Sequence, residues 1–414
     1  MLKNVIFIAG KTKLKRTIAL TTIIVSLLTA CGGGGNGTPS SAQTVSNASS
    51  KISAVVNAAA SATAVTGGFS TATGSTDTAV TVTTLSELKA AFAAGRHHIV
   101  ISGDIYGGST LTTLTFSSVG WNNTTIEGAS GGRAVLENIQ LKFDGELLPS
   151  GQNIQNIVVK NITFHGVIAD LQALPTQVYG TSNYTGINYE GVSLRRVTNA
   201  WIDHCTFYDT SDDLMSVTLS SDNVTISYSR FYFTNEWLNM NPDPLWNWVG
   251  NYQDLANERL AMVVGASSSD SYTYGGNMLH VTLHHNRFGP NLKGRPLLRG
   301  WVHAYGNYFD NDTVPTGTTA DGYNETQYNA LQIGSGSVIY SESNYFYLTN
   351  QSNQIGLDSS GDAYGFYESG NYYNNTTGTS ATGDAFSGAP VSYSYSVDPV
   401  LNIPNLVQSR AGPQ

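Results

Sequence analysis

Cysteine is nearly absent from this chain, which has only Cys31 and Cys205 among its 414 residues. Two cysteines exclude the disulfide framework on which many small secreted domains depend. Cys205 lies in an apolar, strand-like run, and we predict that it is a small core residue. Cys31 follows a segment of different character and is interpreted with that segment below.

Positive charge is also scarce. The chain has 20 Lys and Arg against 29 Asp and Glu, which gives a formal net charge of −9. Five of the positive residues and no acid lie in the first 30 positions, so the remainder carries −14. This charge argues against nucleic acid as a partner, because no basic surface is visible. It also repels a polyanionic sugar unless a bound cation or local arginines intervene.

No apolar run is long enough to cross a bilayer. Residues 17–28 form a short apolar region behind the basic stretch 11–16. Leu28-Thr29-Ala30-Cys31 resembles a bacterial lipoprotein cleavage box, so residues 1–31 are predicted to be a lipoprotein signal peptide with Cys31 lipidated. An ordinary signal peptide is the alternative. Either interpretation predicts export, to the outer membrane or the medium, with membrane contact only through the lipid.

The processed chain is predicted to begin with a flexible tether. Residues 32–75 are rich in Gly, Ser, Ala and Thr and open with four glycines. The folded domain is expected to span residues 76–414. Near its start, Ser86 is predicted to cap a short helix over residues 87–94, which ends at Gly95.

A short apolar unit recurs through the domain, with no helical pattern between its copies. The copies occupy 157–164, 201–207, 224–231, 281–288, 302–309, 338–346 and 366–373. Four contain Asn-x-aromatic, and three intervals between the unit aromatics are 21, 24 and 27 residues. Repetition of this kind predicts an all-β solenoid whose asparagines and aromatics form internal stacks, with long loops inserted between some coils. A β-sandwich is the competing fold, but it does not explain the aligned asparagines.

Several blocks resemble the signature segments of the pectate lyase and pectin lyase superfamily. They are Trp201 to Phe207, His284 to Phe288, Arg295-Pro296-Leu297-Leu298-Arg299 and Trp301 to Phe309. The resemblance covers most of residues 80–412. It implies a right-handed parallel β-helix with a short N-terminal capping helix. The implied activity is β-elimination at C4–C5 of a uronic acid in pectate, an acidic plant polysaccharide.

The resemblance also implies roles for the arginines. Its fingerprint is Arg-x-Pro-x-x-Arg, where the first arginine is the base and the last contacts substrate. Here no residue separates Arg295 from Pro296, so either Arg295 keeps the role or Gly294 stands in that position. Segment 288–294 matches the usual approach to the catalytic arginine and favours Arg295. By side-chain chemistry alone, Arg295 and Arg299 would be carboxylate clamps or members of surface ion pairs.

A calcium site is implied by the same resemblance, with departures. Glu190 and Asp212 match its first two acids, Ser216 stands at the third place, and the adjacent Asp213 is a substitute ligand. Because calcium prefers about 6–8 oxygen ligands, the implied site is weakened. Asp203 and His204, in contrast, are predicted to serve coil-to-coil hydrogen bonding rather than catalysis.

Further substrate contacts are assigned to Lys293, Arg259, Trp246 and Trp248. Arg259 stands next to the place where the family has a lysine, and Lys293 precedes the arginine motif. The tryptophans belong to the loop 234–257, where aromatic rings either stack on sugars or pack the loop onto the helix. We expect a monomer.

Two alternatives remain from the sequence. The departures at Ser216 and at the arginine motif leave room for a pectin lyase that acts on methyl-esterified pectin with little calcium dependence. A non-catalytic β-helix that binds polysaccharide is the other alternative.

Overall fold

The structure is a computed structural model, and it describes residues 65–174, 177–178, 189–247, 254–293, 296–310, 329–348, 353–358, 363–376 and 382–414. These residues wind into coils in which three parallel sheets follow one another in fixed order. Cys31, Trp248, Arg295 and residues 32–64 lie outside the described residues.

Sheet 1 has eleven strands in chain order. They are Val80–Val82, His98–Ile101, Thr124–Gly128, Ile154–Lys160, Val197–Asp203, Asp222–Ser227, His280–His284, Trp301–Tyr305, Val338–Glu342, Gly365–Ser369 and Asp384–Ala385.

Sheet 2 has nine strands. They are Gly103–Tyr106, Ala134–Glu137, Thr163–His165, Thr206–Tyr208, Arg230–Tyr232, Arg287–Phe288, Tyr308–Asp310, Tyr345–Tyr347 and Tyr372–Asn374.

Sheet 3 has eight strands. They are Thr112–Phe116, Ile139–Asp144, Val192–Arg195, Met215–Thr218, Met262–Val264, Leu297–Leu298, Asn329–Ile333 and Asn353–Leu357. A separate parallel pair joins Gln177–Val178 to Trp246–Asn247. The predicted parallel β-helix is therefore confirmed.

The predicted amide ladder is present at the turn from sheet 1 to sheet 2. The backbone N–H of Asn286 donates to Oδ1 of Asn307 at 3.0 Å, and Asn307 donates in the same way to Asn344 at 2.9 Å. Asn344 continues the ladder to Asn371 at 3.0 Å. The residue before each asparagine, such as His285 with φ 55°, adopts the left-handed conformation that lets the chain turn sharply. Each buried turn thus satisfies its backbone polar groups through the next coil.

The predicted aromatic stack fills the interior behind sheet 2. It consists of Phe164, Phe207, Phe231, Phe288, Phe309, Phe346 and Tyr373, with successive ring centroids 4.5 to 5.1 Å apart. Cys205 is fully buried beside this core, as predicted, and burial raises the pKa of its thiol to about 12.

Four α-helices are described: α1 (Leu85–Ala93), α2 (Ile168–Ala173), α3 (Asn235–Leu238) and α4 (Ile403–Arg410). Helix α1 lies where the N-terminal capping helix was predicted, but its cap is Thr84 rather than Ser86. The Thr84 side chain accepts from the N–H of Glu87, whose carboxylate accepts from the N–H of Thr84. This reciprocal capping box satisfies two free N–H groups at the start of the helix. Ser86 is the second residue of the helix and is therefore not at the cap position.

The predicted boundary between tether and domain is wrong. Residues 65–77 lie across the outer face of sheet 1 and are held coil by coil. The N–H of Ser70 donates to Thr225 Oγ1 at 3.0 Å, and that of Ser75 donates to Thr125 Oγ1 at 2.9 Å. We call residues 65–77 the N-terminal strap. Its small residues, interpreted from sequence as flexible, instead permit close approach to the sheet.

Among the described residues, none of the helices is long and apolar enough to span a membrane.

Candidate active site

Three acids meet at the edge of sheet 3 where its strands begin. Glu190 precedes the strand Val192–Arg195, and Asp212 and Asp213 precede the next strand, Met215–Thr218. Val192 pairs with Met215 in register, so the residues before them lie side by side in successive coils. All three are buried, with 7%, 5% and 4% of their surface exposed.

Burial and mutual repulsion perturb these carboxyl groups. Burial raises the pKa of Glu190 to about 7, and the charge of Asp213 adds to the rise. Burial likewise raises the pKa of Asp212 well above its usual range, with further contributions from Asp213 and Glu190. Carboxylates that disfavour one another's ionisation in this way favour either a shared proton or a bound cation.

Ser216, at the third acid position, is bonded to the cluster. Its hydroxyl donates to Glu190 Oε2 at 2.7 Å and lies 2.9 Å from Ser193 Oγ. A hydroxyl thus holds Glu190 in place where the resemblance implies another carboxylate. The hard oxygen donors fit the chemistry of calcium, but they supply fewer ligands than calcium usually takes. Across the described ranges, no three His, Cys, Asp or Glu side chains are arranged to hold a metal ion.

Two cations lie in the coils that follow. The N–H of Leu214 donates to the carbonyl of Leu260, which places the Asp212–Asp213 segment beside Arg259. The N–H of Lys293 in turn donates to the carbonyl of Arg259 at 2.9 Å. Arg259 is fully buried, with Nη1 donating to the carbonyl of Asn291 at 3.0 Å, and Lys293 is 5% exposed. The predicted direct contact between Arg259 and a polymer is therefore wrong for this conformation, because no face of its guanidinium is open.

Arg299 lies at the opposite end of the sheet 3 strands. Its N–H donates to the carbonyl of Val264, the strand residue that pairs with Val217. Arg299 therefore aligns with the far end of the Val192–Arg195 strand, which lies five residues beyond Glu190. At 3.3 Å per residue, this separates Arg299 from Glu190 by roughly 17 Å along the strand direction.

The Arg299 side chain is already engaged. Nη2 donates to Asp358 at 2.8 Å and Nη1 to the carbonyl of Gly265 at 2.8 Å. The sequence reasoning missed Asp358, because nothing in the sequence aligns it with Arg299.

Trp246 does not present a ring to solvent. It is 1% exposed, and Trp237 of the same loop is fully buried. This burial contradicts the prediction that Trp246 stacks on sugar, and it supports the alternative in which the loop aromatics pack the loop onto the helix.

Asp203 and His204 have the structural role that was predicted. His204 Nδ1 lies 2.7 Å from Asp203 Oδ2, and Ser227 of the next coil donates to the other Asp203 oxygen. Both residues belong to the sheet 1 side of the coil, away from the acids.

The fold places this chain among the right-handed parallel β-helix proteins. A model of the family described as pectate lyase matches residues 16–237 and 251–413, so the chain belongs to the pectate lyase family. Among solved structures, a pectate lyase bound to a hexasaccharide matches with a TM-score of 0.56 and 18% identity, over 85% of this chain and 97% of that one.

Sequence relatives agree with this membership. A pectate lyase of Bacillus subtilis (strain 168) is 28% identical over 299 residues, which cover 70% of this chain and 64% of that protein. A pectate trisaccharide-lyase of Thermotoga maritima is 22% identical over 161 residues, 38% of this chain and 34% of that protein. The chain thus spans less than two thirds of the length of either relative.

Proposed function

We propose that this protein is a polysaccharide lyase that cleaves pectate, or polygalacturonate, by β-elimination. Family membership supports the reaction class. The single structural observation that carries the proposal is the buried cluster of Glu190, Asp212 and Asp213, next to the cationic residues Arg259 and Lys293 on one edge of the helix. One solved pectate lyase structure concerns the substrate specificity and the anti β-elimination mechanism of that enzyme, and β-elimination is the chemistry proposed here.

Elimination across C4–C5 of a uronate has three requirements. A base removes the C5 proton, positive charge stabilises the enolate-like anion that develops, and the O4 leaving group departs. Arg295 is proposed as the base, because the family motif aligns there. Lys293 and Pro296, which lie within two residues of Arg295 in the chain, are both buried.

Arg299 is proposed to bind a substrate carboxylate farther along sheet 3. Its guanidinium has five N–H donors, of which Asp358 and Gly265 engage two. The remaining donors suit a uronate carboxylate in a polymer that runs along the sheet. Lys293 and Arg259 are proposed to supply positive charge on the coils next to the acids.

Calcium is the proposed cofactor. When bound, it would supply positive charge that stabilises the anion developing at C5. Glu190, Asp212 and Asp213 would hold it, with Ser216 fixing the orientation of Glu190. Because the protein supplies few charged ligands, substrate carboxylates complete the site, and binding is expected to be weak without substrate.

The test incubates residues 36–414 with polygalacturonate and with highly methylated pectin, each with calcium or with a chelator. Ultraviolet-absorbing unsaturated ends from polygalacturonate, lost on chelation, support the proposal. Product from methylated pectin that survives chelation would select the pectin lyase alternative. Saturable binding without product on either substrate would select the non-catalytic β-helix.

The Arg295→Lys variant tests the proposed base. Activity should fall about 10²- to 10³-fold with an unchanged melting temperature, because a lysine ammonium cannot reproduce the position of the guanidinium. Arg133→Lys is the matched control, since Arg133 is an exposed partner of Asp104. Equal activity of the Arg295→Lys variant and this control would remove Arg295 from the mechanism.

The proposed site of action is outside the cytoplasm, with a lipid on Cys31 as the anchor. A Cys31→Ser chain should lose incorporation of labelled fatty acid and appear in the soluble fraction, because the acyl chains supply the membrane affinity. Membrane association that persists in this variant would favour an uncleaved signal segment as the anchor.

A further inference from the structure

Two arginines occupy neighbouring positions on the outer face of sheet 2. Arg230 pairs in register with Arg287 on the next strand. Neighbouring strands lie about 4.8 Å apart, so the two cationic side chains leave the sheet side by side. Like charges opposite one another on a sheet destabilise it, unless something of opposite charge lies between them.

Only one of the two charges is matched by an acid. Arg287 donates through Nε to Asp310 at 3.0 Å, and the two side chains form an ion pair. Arg230 donates from Nη2 to the carbonyl of Gln408 in the last turn of α4. In the part of the chain that the structure describes, no carboxylate lies within ion-pair distance of Arg230. Burial and then the charge of Arg287 lower the pKa of Arg230, as expected for a cation without a counter-ion.

These arginines line a cavity of about 280 Å³ between sheet 2 and the loop that leads to sheet 3. Its other polar walls include Tyr232, Asn235 and Asn291. Burial and the nearby Asp209 raise the pKa of Tyr232, so its hydroxyl is a donor at neutral pH. Asn235 Oδ1 accepts from Asn291 at 3.1 Å, which leaves the Asn235 NH₂ group as a second donor. We call this cavity the arginine pocket.

Two acids lie near the pocket, but among the described residues neither forms an ion pair with Arg230. Asp209 is 2% exposed and is engaged by the N–H and hydroxyl of Thr234, at 2.9 and 2.7 Å. Glu236 is exposed on α3. Arg287 is neutralised by Asp310, whereas the charge of Arg230 has no directly paired carboxylate among the described residues. A small anion that enters the pocket can therefore form a charged hydrogen bond with Arg230.

The arginine pocket adjoins the candidate active site. Asn291, on its wall, accepts a hydrogen bond through its carbonyl from Nη1 of Arg259, the buried cation beside the acids. Lys293 follows two residues later and continues the same edge. Asn291 thus connects the pocket wall to the buried cation beside the acids.

We propose that the arginine pocket is an accessory subsite that binds a uronate carboxylate of the polysaccharide, away from the bond that is cleaved. This inference rests on the proposed function. Arg230 supplies charge and unused N–H donors, Tyr232 and Asn235 supply donors to carboxylate or hydroxyl oxygens, and the cavity volume suits one sugar. A methyl ester removes the negative charge, so the subsite also discriminates against esterified polymer.

The test measures binding by calorimetry, in chelator so that calcium does not contribute. Ligands are trigalacturonate and its methyl ester, and proteins are the wild-type chain, Arg230→Gln and the surface control Arg133→Gln. Trigalacturonate should bind Arg230→Gln about tenfold more weakly than wild type, because a charged hydrogen bond is lost. The control should match wild type, and the ester should bind all three proteins weakly. Equal affinity of wild type and Arg230→Gln for trigalacturonate overturns the proposal, as does undetectable binding by wild type.

Arg230 also contacts α4, so Arg230→Gln could lose affinity because it folds poorly. Two further variants test the pocket independently of that contact. Asn235→Asp places a negative charge in the pocket from an exposed position and should weaken binding in the same direction. Arg230→Lys keeps the charge and should retain most of the affinity. Unchanged trigalacturonate affinity in Asn235→Asp contradicts the subsite even if Arg230→Gln does not fold.

A kinetic comparison separates this inference from the proposed function. With polygalacturonate, Arg230→Gln should raise KM and leave kcat unchanged. If the wild-type chain forms no unsaturated product, the proposed lyase activity fails, while the calorimetry still decides the subsite. If product forms with an identical KM in both proteins, the subsite fails and the lyase stands.

Discussion

The Nδ1 atoms of His284 and His285 lie 3.0 Å apart. His284 Nε2 lies 2.8 Å from the carbonyl of Thr66 in the N-terminal strap, and His285 Nε2 lies 3.0 Å from Asp398 near the C-terminus. A carbonyl can only accept, so Nε2 of His284 carries the proton of its neutral ring, and its Nδ1 is the acceptor that faces His285. This pair therefore contacts both the N-terminal strap and the C-terminal segment that holds Asp398.

Acid should weaken this attachment. Burial and the neighbouring His285 lower the pKa of His284 to about 3 from an ordinary 6.5. Below pH 6.5 the unfolded chain binds a proton at His284 that the folded chain does not. The free energy of unfolding therefore falls as the pH drops from 6.5 towards 3. At pH 5 the titration of His284 accounts for a loss of about 2 kcal/mol.

The measurement is urea unfolding at pH 8 and pH 5 for wild type and His284→Gln. The variant should lose less stability on acidification, because its side chain does not titrate. His98→Gln, which removes a histidine from the surface pair with Glu127, is the control. The pKa values of Glu190 and Asp209 are raised to about 7 and about 6, so these two carboxyl groups favour the folded state as the pH falls. Their effect is the same in all three proteins and cancels in the comparison. An unaltered pH dependence in His284→Gln would contradict this role.

Calcium activation should depend on pH near neutrality. Because burial raises the pKa of Glu190 to about 7, a proton competes with the cation below that pH. The calcium concentration for half-maximal activity should be about tenfold higher at pH 6 than at pH 8. In Glu190→Gln that dependence should largely disappear and activity should be low. Glu236→Gln, on the exposed surface of α3, should behave as wild type, and a shift of equal size in both variants would be inconsistent with Glu190 as a ligand.

The amide ladder should be a major source of stability. Asn307 is fully buried; its NH₂ group donates to Leu283 and Asn344, and its Oδ1 accepts from Asn286. Asn307→Ala leaves several buried polar groups without partners and should cost about 3 kcal/mol in thermal or urea unfolding. Asn371→Ala, at the partly exposed end of the ladder, should cost less. Similar losses at both positions would mean that burial of the ladder does not determine its contribution.

The N-terminal strap should be sensitive to added volume. A Cβ on Gly68 would lie 2.3 Å from Thr225 Oγ1 and 2.7 Å from Thr282 Cβ. Gly68→Ala should therefore lift the strap from sheet 1 and lower stability by about 1–3 kcal/mol. Gly132→Ala meets nothing closer than 3.4 Å and is the matched control. If limited proteolysis cuts the strap no faster in Gly68→Ala than in this control, the contact is not essential.

Much of the fold was predictable because a solenoid repeats itself. Asn286, Asn307, Asn344 and Asn371 recur at a fixed offset from an aromatic, and each pairs with its equivalent one coil away. The strap was not predictable in the same way. Its glycines and serines have the composition of a linker, and only contact with Thr125, Thr225 and Thr282 of distant coils orders them.

Some residues of the candidate site were likewise predictable from the sequence, and others were not. Glu190, Asp212 and Asp213 were expected from the resemblance to the family's calcium site, and the structure brings these three acids together. Trp246 was assigned to substrate by residue type and Arg259 by its place next to the family's lysine position, yet both are buried. Whether an aromatic or a guanidinium faces solvent depends on what the inserted loop covers, and a loop has no repeat from which its packing can be inferred.

By itself, the amino-acid sequence determined the repeating unit, the internal stacks and the position of the acids along the chain. These follow from local alternation and from identical residues meeting at a constant spacing. Only the tertiary structure decided that Arg299 pairs with Asp358 and that Arg230 stands beside Arg287. Those relationships join residues tens of positions apart, so their energies depend on distances that exist only once the coils are stacked.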